Sequence, residues 1–221
     1  MQRRRFLACS SALAGAGLAP ATTMARRLFP ADVTDRYVAW QGERAVGRQE
    51  ISFTREPGRF VVDVKIQTRL TARGIGDVSY AHESREVWET GWLHALESQT
   101  HIDGRDQEVH AERRYGALMV SRSNGGPFQM STYIVPSSLW HRDSRLVDAF
   151  IDVEDGSIRF VQPRYVGKEI LRQGGGSVEA HRYTLRGQMN REAWYDANCV
   201  LVGWDMPLTT GGWINFRRQM S

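Results

Sequence analysis

The side chains that could carry chemistry are scattered along this sequence, and one group of them falls on two neighbouring predicted strands. His82 and Glu86 share one strand, and His94 begins the next. Imidazole and carboxylate groups serve general acid–base catalysis and bind zinc. Brought together between strands, these three residues would form the site of a hydrolase, which is the enzymatic hypothesis the sequence allows.

The other patterns of catalytic residues point to no enzyme. No His-Glu-x-x-His pair occurs, and no Gly-x-Ser-x-Gly elbow with the strand–helix alternation that would present it. Gly174 to Gly176 is followed by no Lys-Ser/Thr pair, which indicates a hairpin turn and not a phosphate loop. The sequence therefore predicts no catalytic residue, no metal site and no cofactor.

A cavity lining is the more informative interpretation of the same strands. Alternate residues from Val78 to Trp88 share one side of the first strand, and His94, Leu96, Ser98 and Thr100 are predicted to share a side of the second. An aromatic interior with a few polar groups is typical of ligand sites. The alternative is that the rings pack at the ends of a barrel and the polar groups face water. The candidate ligand-binding residues are Tyr80, His82, Glu86, Trp88, His94 and Leu96.

Period-two alternation positions these residues. From Phe60 to Leu70 the even positions are almost all apolar and the odd ones mainly charged or polar, as in a half-buried antiparallel strand. Similar runs follow with turn residues between them. The predicted fold is all-β, an antiparallel meander curled into a barrel or half-open β-roll. The exception is Gly125 to Asp148, a long loop with one helical turn starting near Ser137, of the kind that forms lids or plugs.

The N-terminus has the pattern of an export signal. Three arginines precede a short uncharged stretch, Ala8 to Ala19, and small residues lead to Ala25. A twin-arginine signal is indicated by Arg3, Arg4, Phe6 and Leu7. We therefore expect the twin-arginine export machinery as a partner, cleavage after Ala25 (Ala21 is the alternative) and a periplasmic protein. Residues 26–35 are predicted to be a flexible lead-in, and residues 36–221 a single domain.

Net charge, apolar segments and cysteine content narrow the possible classes of protein further. Without residues 1–25 the formal charge falls from +4 to +1, so nucleic-acid binding is not predicted. The apolar stretch is shorter than the about 20 residues of a membrane-spanning helix, and no later segment matches it. Cys199 would stand alone in the mature chain, which excludes an intramolecular disulfide.

The order of several short motifs resembles a proteobacterial family of exported proteins classed only as a domain of unknown function. The motifs are Tyr37 to Phe53, Val87-Trp88 with Gly91, Leu93 to Thr100, Ser138-Leu139-Trp140 and Trp194-Tyr195-Asp196. The resemblance implies an antiparallel β-roll, loosely similar to half-barrels that hold lipids or lipoproteins in the cell envelope. No activity, cofactor or catalytic residue comes with it.

Three functional hypotheses remain at this point. The leading one is a non-enzymatic binder of an apolar or amphipathic, lipid-like ligand, or of an envelope protein. The others are a periplasmic hydrolase with a site between strands and a purely structural or interaction protein with a filled core.

Overall fold

The strands of this protein cover most of the chain. A computed structural model describes residues 32–72, 76–173, 176–208 and 211–219, so the predicted signal at residues 1–25 and most of the lead-in lie outside the described residues. No helix in the described ranges has the length and apolarity to cross a bilayer. The strands are β1 Val33–Gln41, β2 Arg44–Glu56, β3 Arg59–Ala72, β4 Gly76–Glu89, β5 Trp92–Ile102, β6 Arg105–Arg114, β7 Ala117–Arg122, β8 Phe128–Met130, β9 Val135–Pro136, β10 Ala149–Ile151, β11 Ile158–Gln173, β12 Gly176–Gly187, β13 Arg191–Tyr195, β14 Leu201–Pro207 and β15 Trp213–Arg218.

All fifteen of these strands belong to one sheet, in the order β8-β7-β6-β5-β4-β3-β2-β1-β15-β14-β13-β12-β11-β10-β9. Strands that follow one another in sequence lie side by side, and β1 joins the two halves by pairing with β15. The pairing is antiparallel except between β9 and β10. The sheet is not closed, because β8 and β9 lie at its two edges. The predicted antiparallel meander is thus confirmed, as a half-open roll.

Bulges explain how so long a sheet curls. An extra residue in one strand bends that strand and increases its twist. In this sheet the register shifts at four points, two in each half: Ala39/Trp40, Val87/Trp88, Tyr165/Gly167 and Trp194/Tyr195. The shift at Tyr165/Gly167 lies within β11, which continues across Gly167 as one strand of 16 residues.

Alternation along β3 produces the core. Phe60, Val62, Val64 and Ile66 are buried on the inner face, while outward residues such as Lys65, Gln67 and Arg69 are exposed. Corresponding inner positions of β1, β2, β5, β14 and β15 join them in one cluster. A smaller cluster of Leu171, Ala180, Trp194 and Val202 lies on β11 to β14. The half-buried strand predicted from Phe60 onward is confirmed.

Residues 131–157, which we call the plug, lie against the inner face of the sheet. They contain β9, β10 and a 3₁₀ turn at Arg142–Arg145. Ten of their side chains are buried, among them large apolar ones of the main core: Ile134, Val135, Leu139, Trp140, Phe150, Ile151 and Val153. The predicted long loop is therefore ordered filling for the roll.

The position of the helical turn was predicted wrongly. His141, not Ser137, precedes the turn, and its ring Nδ1 accepts from the backbone N–H of Asp143. The Ser137 hydroxyl instead accepts from the backbone N–H of Val153. Leu139 has a φ of 65°, which a right-handed helix does not allow.

Candidate functional site

The inner face of β4 carries an unusual series of side chains. Tyr80, His82, Ser84, Glu86 and Trp88 all point inward, because alternate residues of a strand share a face. Aromatic rings lie at both ends, and polar groups lie between them. The plug covers this series, so its polar groups face protein and not solvent.

Glu86 is the chemical centre of this face. Its carboxylate is fully buried and accepts hydrogen bonds from the Ser138 hydroxyl (2.6 Å), the Trp140 indole N–H (2.9 Å) and the Trp88 indole N–H (3.1 Å). Ser138 and Trp140 belong to the plug, more than 50 residues along the chain. Glu86 thus fastens the plug to the sheet, and we call these two contacts the latch.

The electrostatics of the latch follow from burial. Removal from water raises the pKa of Glu86 to about 7, and the hydrogen bonds from Ser138, Trp88 and Trp140 oppose this rise. Among the described residues no cationic side chain forms an ion pair with Glu86. The carboxyl group of the latch consequently changes its charge close to neutral pH, inside an apolar interior.

Aromatic rings surround the latch. The Trp140 ring meets Phe53 and Trp88 edge-on, with centroids 5.5 and 5.6 Å away, and lies 6.2 Å from Phe60. The buried His141 ring stacks on Trp88 at 4.6 Å. Burial lowers the pKa of His141 to about 4, so this imidazole is neutral at pH 7. This end of the interior is an aromatic cage for one plug tryptophan.

The other end of the interior is polar. The His82 Nδ1 lies 2.8 Å from the Thr100 hydroxyl, and burial lowers the pKa of His82 to about 4. The Tyr80 hydroxyl donates to Glu154 of the plug at 3.0 Å, and burial raises the pKa of Glu154. The Ser98 hydroxyl donates to the carbonyl of Val153. The second half of the plug therefore lies over hydrogen-bonding groups.

Leu139 carries the backbone strain of the plug. A positive φ is costly for a branched side chain, by about 1–3 kcal/mol, and such residues cluster at functional sites. The strain is held by burial of the side chain and by a hydrogen bond from the Tyr195 hydroxyl to the Leu139 carbonyl, 2.9 Å long. The aromatic end of the plug is thus held from both halves of the sheet.

His94 lies apart from the other candidate residues. The bulge in the β4–β5 ladder pairs Val87 with Ala95 and Trp88 with Leu93, so His94 is the extra residue. Leu93, not His94, takes the inward position. The His94 ring lies 3.5 Å from Glu89 and is partly exposed. The prediction that His94 shares a side with Leu96, Ser98 and Thr100 is therefore wrong. The reason is the bulge, which the alternation of the sequence does not reveal.

This placement does not bring the proposed hydrolase residues together. His82 and Glu86 are buried inside the roll, while His94 lines a small cavity of about 310 Å³ with Trp92 and Arg113. In the described ranges no group of three or more His, Cys, Asp or Glu residues could hold a metal ion. Tyr80, His82, Glu86, Trp88 and Leu96 line the inner wall, and their role in ligand binding stays a prediction.

A larger groove of about 620 Å³ lies on the outer side of β3 to β7. Charged outward side chains form its walls, including Asp63, Lys65, Glu83 and Arg85, and two ion pairs, Asp63–Arg85 and Lys65–Glu83, cross between its strands. Solvent reaches these groups freely, and such exposed pairs contribute little energy. The groove offers a polar surface without an evident anchor for a ligand.

Sequence reasoning gave no role to the plug side of this site. Ser138 and Trp140 stood out only through the family resemblance, and Glu154 did not stand out. Apolar residues at Ile134, Leu139, Phe150 and Ile151 in a segment that contains Pro136 were the signal that this loop is buried. The β4 residues that they contact could not be predicted, because this segment has no regular hydrophobic period.

Comparisons with known proteins agree with this fold and assign no activity. The model of a family described as a domain of unknown function (DUF6134) matches residues 37–219. A solved structure, described as a beta-barrel-like protein of domain of unknown function DUF1849 from Brucella abortus, is similar with a TM-score of 0.60 and 9% identity, over 84% of this chain and 94% of that one. No curated protein matches this sequence.

Proposed function

This chain belongs to the DUF6134 family of domains of unknown function, and we propose that it is a non-enzymatic envelope protein that binds an apolar or amphipathic ligand. The ligand takes the place of the plug against the inner face of the sheet. The observation that carries this proposal is the latch, in which a buried carboxyl group, without an ion-pair partner in the described part of the chain, holds the plug inside an aromatic interior.

The latch favours the interpretation that the plug can leave its place. A plug that was a permanent part of the core would not need a buried carboxyl group to hold it. A buried charge costs several kcal/mol unless it is well paired, and an apolar side chain at Glu86 would hold the plug without that cost. Strain at Leu139 adds to the energy of the docked plug. These two features lower the free energy needed to open the plug.

Burial of a lipid chain supplies energy for the exchange. Transfer of a methylene group from water to an apolar site is worth about 0.8 kcal/mol, so an acyl chain of about 15 methylenes contributes roughly 12 kcal/mol. Displacing the plug exposes rings such as Phe53, Phe60 and Trp88, which are buried at present. The ligand would cover these same rings.

The proposal includes a compartment. We propose export by the twin-arginine machinery and action in the periplasm, because of Arg3, Arg4, Phe6 and Leu7. In a host with this machinery, replacing both Arg3 and Arg4 by Lys is expected to leave the full-length chain in the cytoplasm. Cell fractionation tests this, and N-terminal sequencing distinguishes cleavage after Ala25 from cleavage after Ala21. Periplasmic product from the Lys-Lys variant would contradict the proposed route.

Probe binding tests the proposed function directly. N-phenyl-1-naphthylamine fluoresces in apolar sites, and we expect it to bind the mature protein with saturation. Binding should speed tryptic cleavage after Arg142 and Arg145 of the plug by about tenfold, because the plug opens. Cleavage after the exposed Arg105 is the internal control.

A latch variant sharpens the same test. Ser138→Ala removes one plug contact of Glu86 and should tighten probe binding several-fold, by about 1 kcal/mol. Ser131→Ala, an exposed serine of the plug, should leave binding unchanged. Native mass spectrometry of protein from the periplasm should find a co-purifying lipid-like molecule. A chain without probe binding and without any lipid would instead be a structural or interaction protein, for which the filled interior is the supporting observation.

A further inference from the structure

Three polar atoms of neighbouring inward side chains on β4 and β6 lack a hydrogen-bond partner among the described residues. They are the Nε2 of His82, the Oγ of Ser84 and the Oε1 of Gln107. Each atom is inaccessible to solvent, and His82 and Ser84 are 1% and 5% exposed as residues. A buried polar group without a partner costs about 1–3 kcal/mol, so three together need an explanation.

The three atoms come from adjoining positions of the sheet. His82 pairs with Thr100, and Thr100 pairs with Gln107 on the next strand. Ser84 is the next inward residue along β4 and pairs with Ser98. With Thr100 and Ser98 between them, they form a polar patch, which we define as His82, Ser84, Ser98, Thr100 and Gln107.

The two halves of the plug lie over different parts of the inner face of the sheet. Its first half places Leu139 and Trp140 over the aromatic end, and its second half places Val153 and Glu154 beside the polar patch. An opened plug would therefore uncover an apolar region continuous with a polar one. That pattern matches a ligand with an apolar chain and a hydrogen-bonding head.

We propose that the polar patch binds an uncharged, hydroxyl- or amide-bearing head group of the amphipathic ligand, an inference that rests on the proposed function. The Ser84 hydroxyl donates and accepts, the Gln107 carbonyl oxygen accepts, and the His82 Nε2 does one or the other according to its tautomer. A glyceryl or similar polyol head satisfies all three at once.

The neutrality of the patch residues favours an uncharged head group over a charged one. All five patch residues are neutral, His82 because burial holds its pKa near 4. An anionic head would approach the carboxyl group of Glu154. The cations nearest the patch are Arg191, which acts on Glu154, and Arg122, which ends the row Ser84–Ser98–Val109–Arg122. Arg122 lies over the Phe128 ring, and its buried Nε has no hydrogen-bond partner among the described residues, so decanoate is the probe that tests its influence. A cationic head could donate to the Gln107 oxygen but would leave the donor of the Ser84 hydroxyl unused. Burying either charge costs more than burying a hydroxyl.

The test compares four ten-carbon probes with different heads: monodecanoyl glycerol, decanoate, decylamine and 1-decene. Each displaces N-phenyl-1-naphthylamine from the mature protein at pH 7.5, and the displacement gives its Kd. We expect monodecanoyl glycerol to bind at least about tenfold more tightly than each of the other three. Ser84→Ala should reduce that preference several-fold with little effect on 1-decene, and Gln107→Leu should do the same.

The matched control is Ser79→Ala, an exposed serine of the same strand, which should keep the full preference. Equal Kd values for all four probes, or an unchanged preference in both patch variants, would overturn the head-group inference and leave ordered water as the occupant of the patch. Failure of every probe to bind, N-phenyl-1-naphthylamine included, would instead contradict the proposed function itself.

Discussion

Replacing Trp140 by alanine is expected to lower the free energy of unfolding by about 3–5 kcal/mol, the range for deleting a large buried aromatic side chain. Trp140 is almost fully buried and contacts the rings of Phe53, Phe60 and Trp88. The substitution removes these contacts, opens a cavity in the aromatic cage and takes one donor from Glu86. The total free energy of unfolding of a domain is only about 5–15 kcal/mol, so this loss is severe.

Urea unfolding of the mature protein, followed by circular dichroism, measures this loss. Trp213→Ala is the matched control, because this tryptophan is 40% exposed at the start of β15 and should cost about 1 kcal/mol or less. Trp140→Phe separates the two contributions: it keeps most of the buried ring and removes the indole N–H, for an expected loss of about 1–3 kcal/mol. Equal midpoints for Trp140→Ala and Trp213→Ala would show that the plug adds little to stability.

The strands could be predicted from the sequence because their information is local. The alternation from Phe60 to Leu70 states which side chains are inward, and the same period on β4 places Tyr80, His82, Glu86 and Trp88 on one face. Turn residues set the hairpins between them. Such patterns predict elements and faces without any knowledge of the partner strand.

The plug and the bulges could not be predicted in this way. A bulge adds one residue without a clear sequence signal, and one bulge was enough to turn His94 away from the interior. The latch joins Glu86 to residues 52 and 54 positions away, across a segment without hydrophobic period. A buried glutamate also runs against the general expectation that carboxylates face water. These contacts depend on how the sheet curls.

The latch and the polar patch together suggest how one site combines specificity with exchange. Interior polar groups stabilise less than apolar ones of the same size, but they select among occupants by hydrogen-bond geometry. Glu86 selects the plug through Ser138 and Trp140, while His82, Ser84 and Gln107 have atoms that the plug leaves without partners. The docked plug supplies hydrogen-bond partners to Glu86 at the aromatic end of the inner face. It leaves polar atoms at the other end without partners, which favours an occupant that pairs with both ends.

Replacing Glu86 by glutamine is expected to stabilise the protein above pH 7 and to change little below pH 5. The folded pKa of Glu86, about 7, lies above the ordinary value of 4.5, so the native state holds the proton more tightly than the unfolded state. The stability that Glu86 contributes is complete below pH 4.5 and is lost as the pH rises to about 7. At 1.36 kcal/mol per pKa unit the loss approaches roughly 3 kcal/mol.

Glutamine suits the site. Both indole N–H groups donate to one oxygen of Glu86, and the Ser138 hydroxyl contacts the other oxygen. An amide can accept both indoles with its oxygen and donate its N–H to the Ser138 hydroxyl, which accepts in turn. Glu86→Gln thus keeps the latch and removes its charge.

The pH dependence of the difference between the two proteins isolates Glu86. Burial lowers the pKa of His82 and His141 to about 4, so stability from these rings is lost as the pH falls from 6.5 towards 4, opposite in sign to the effect of Glu86. Asp35 and Glu154, whose pKa values burial raises, act in the same direction as Glu86. All four groups are present in both proteins and cancel in the difference. Urea midpoints at half-unit steps from pH 4 to pH 8.5 should give a difference near zero at pH 4.5 that grows up to pH 7 and then levels. A difference that is the same at every pH would mean that Glu86 keeps one charge state throughout, and that its ionisation does not control the latch.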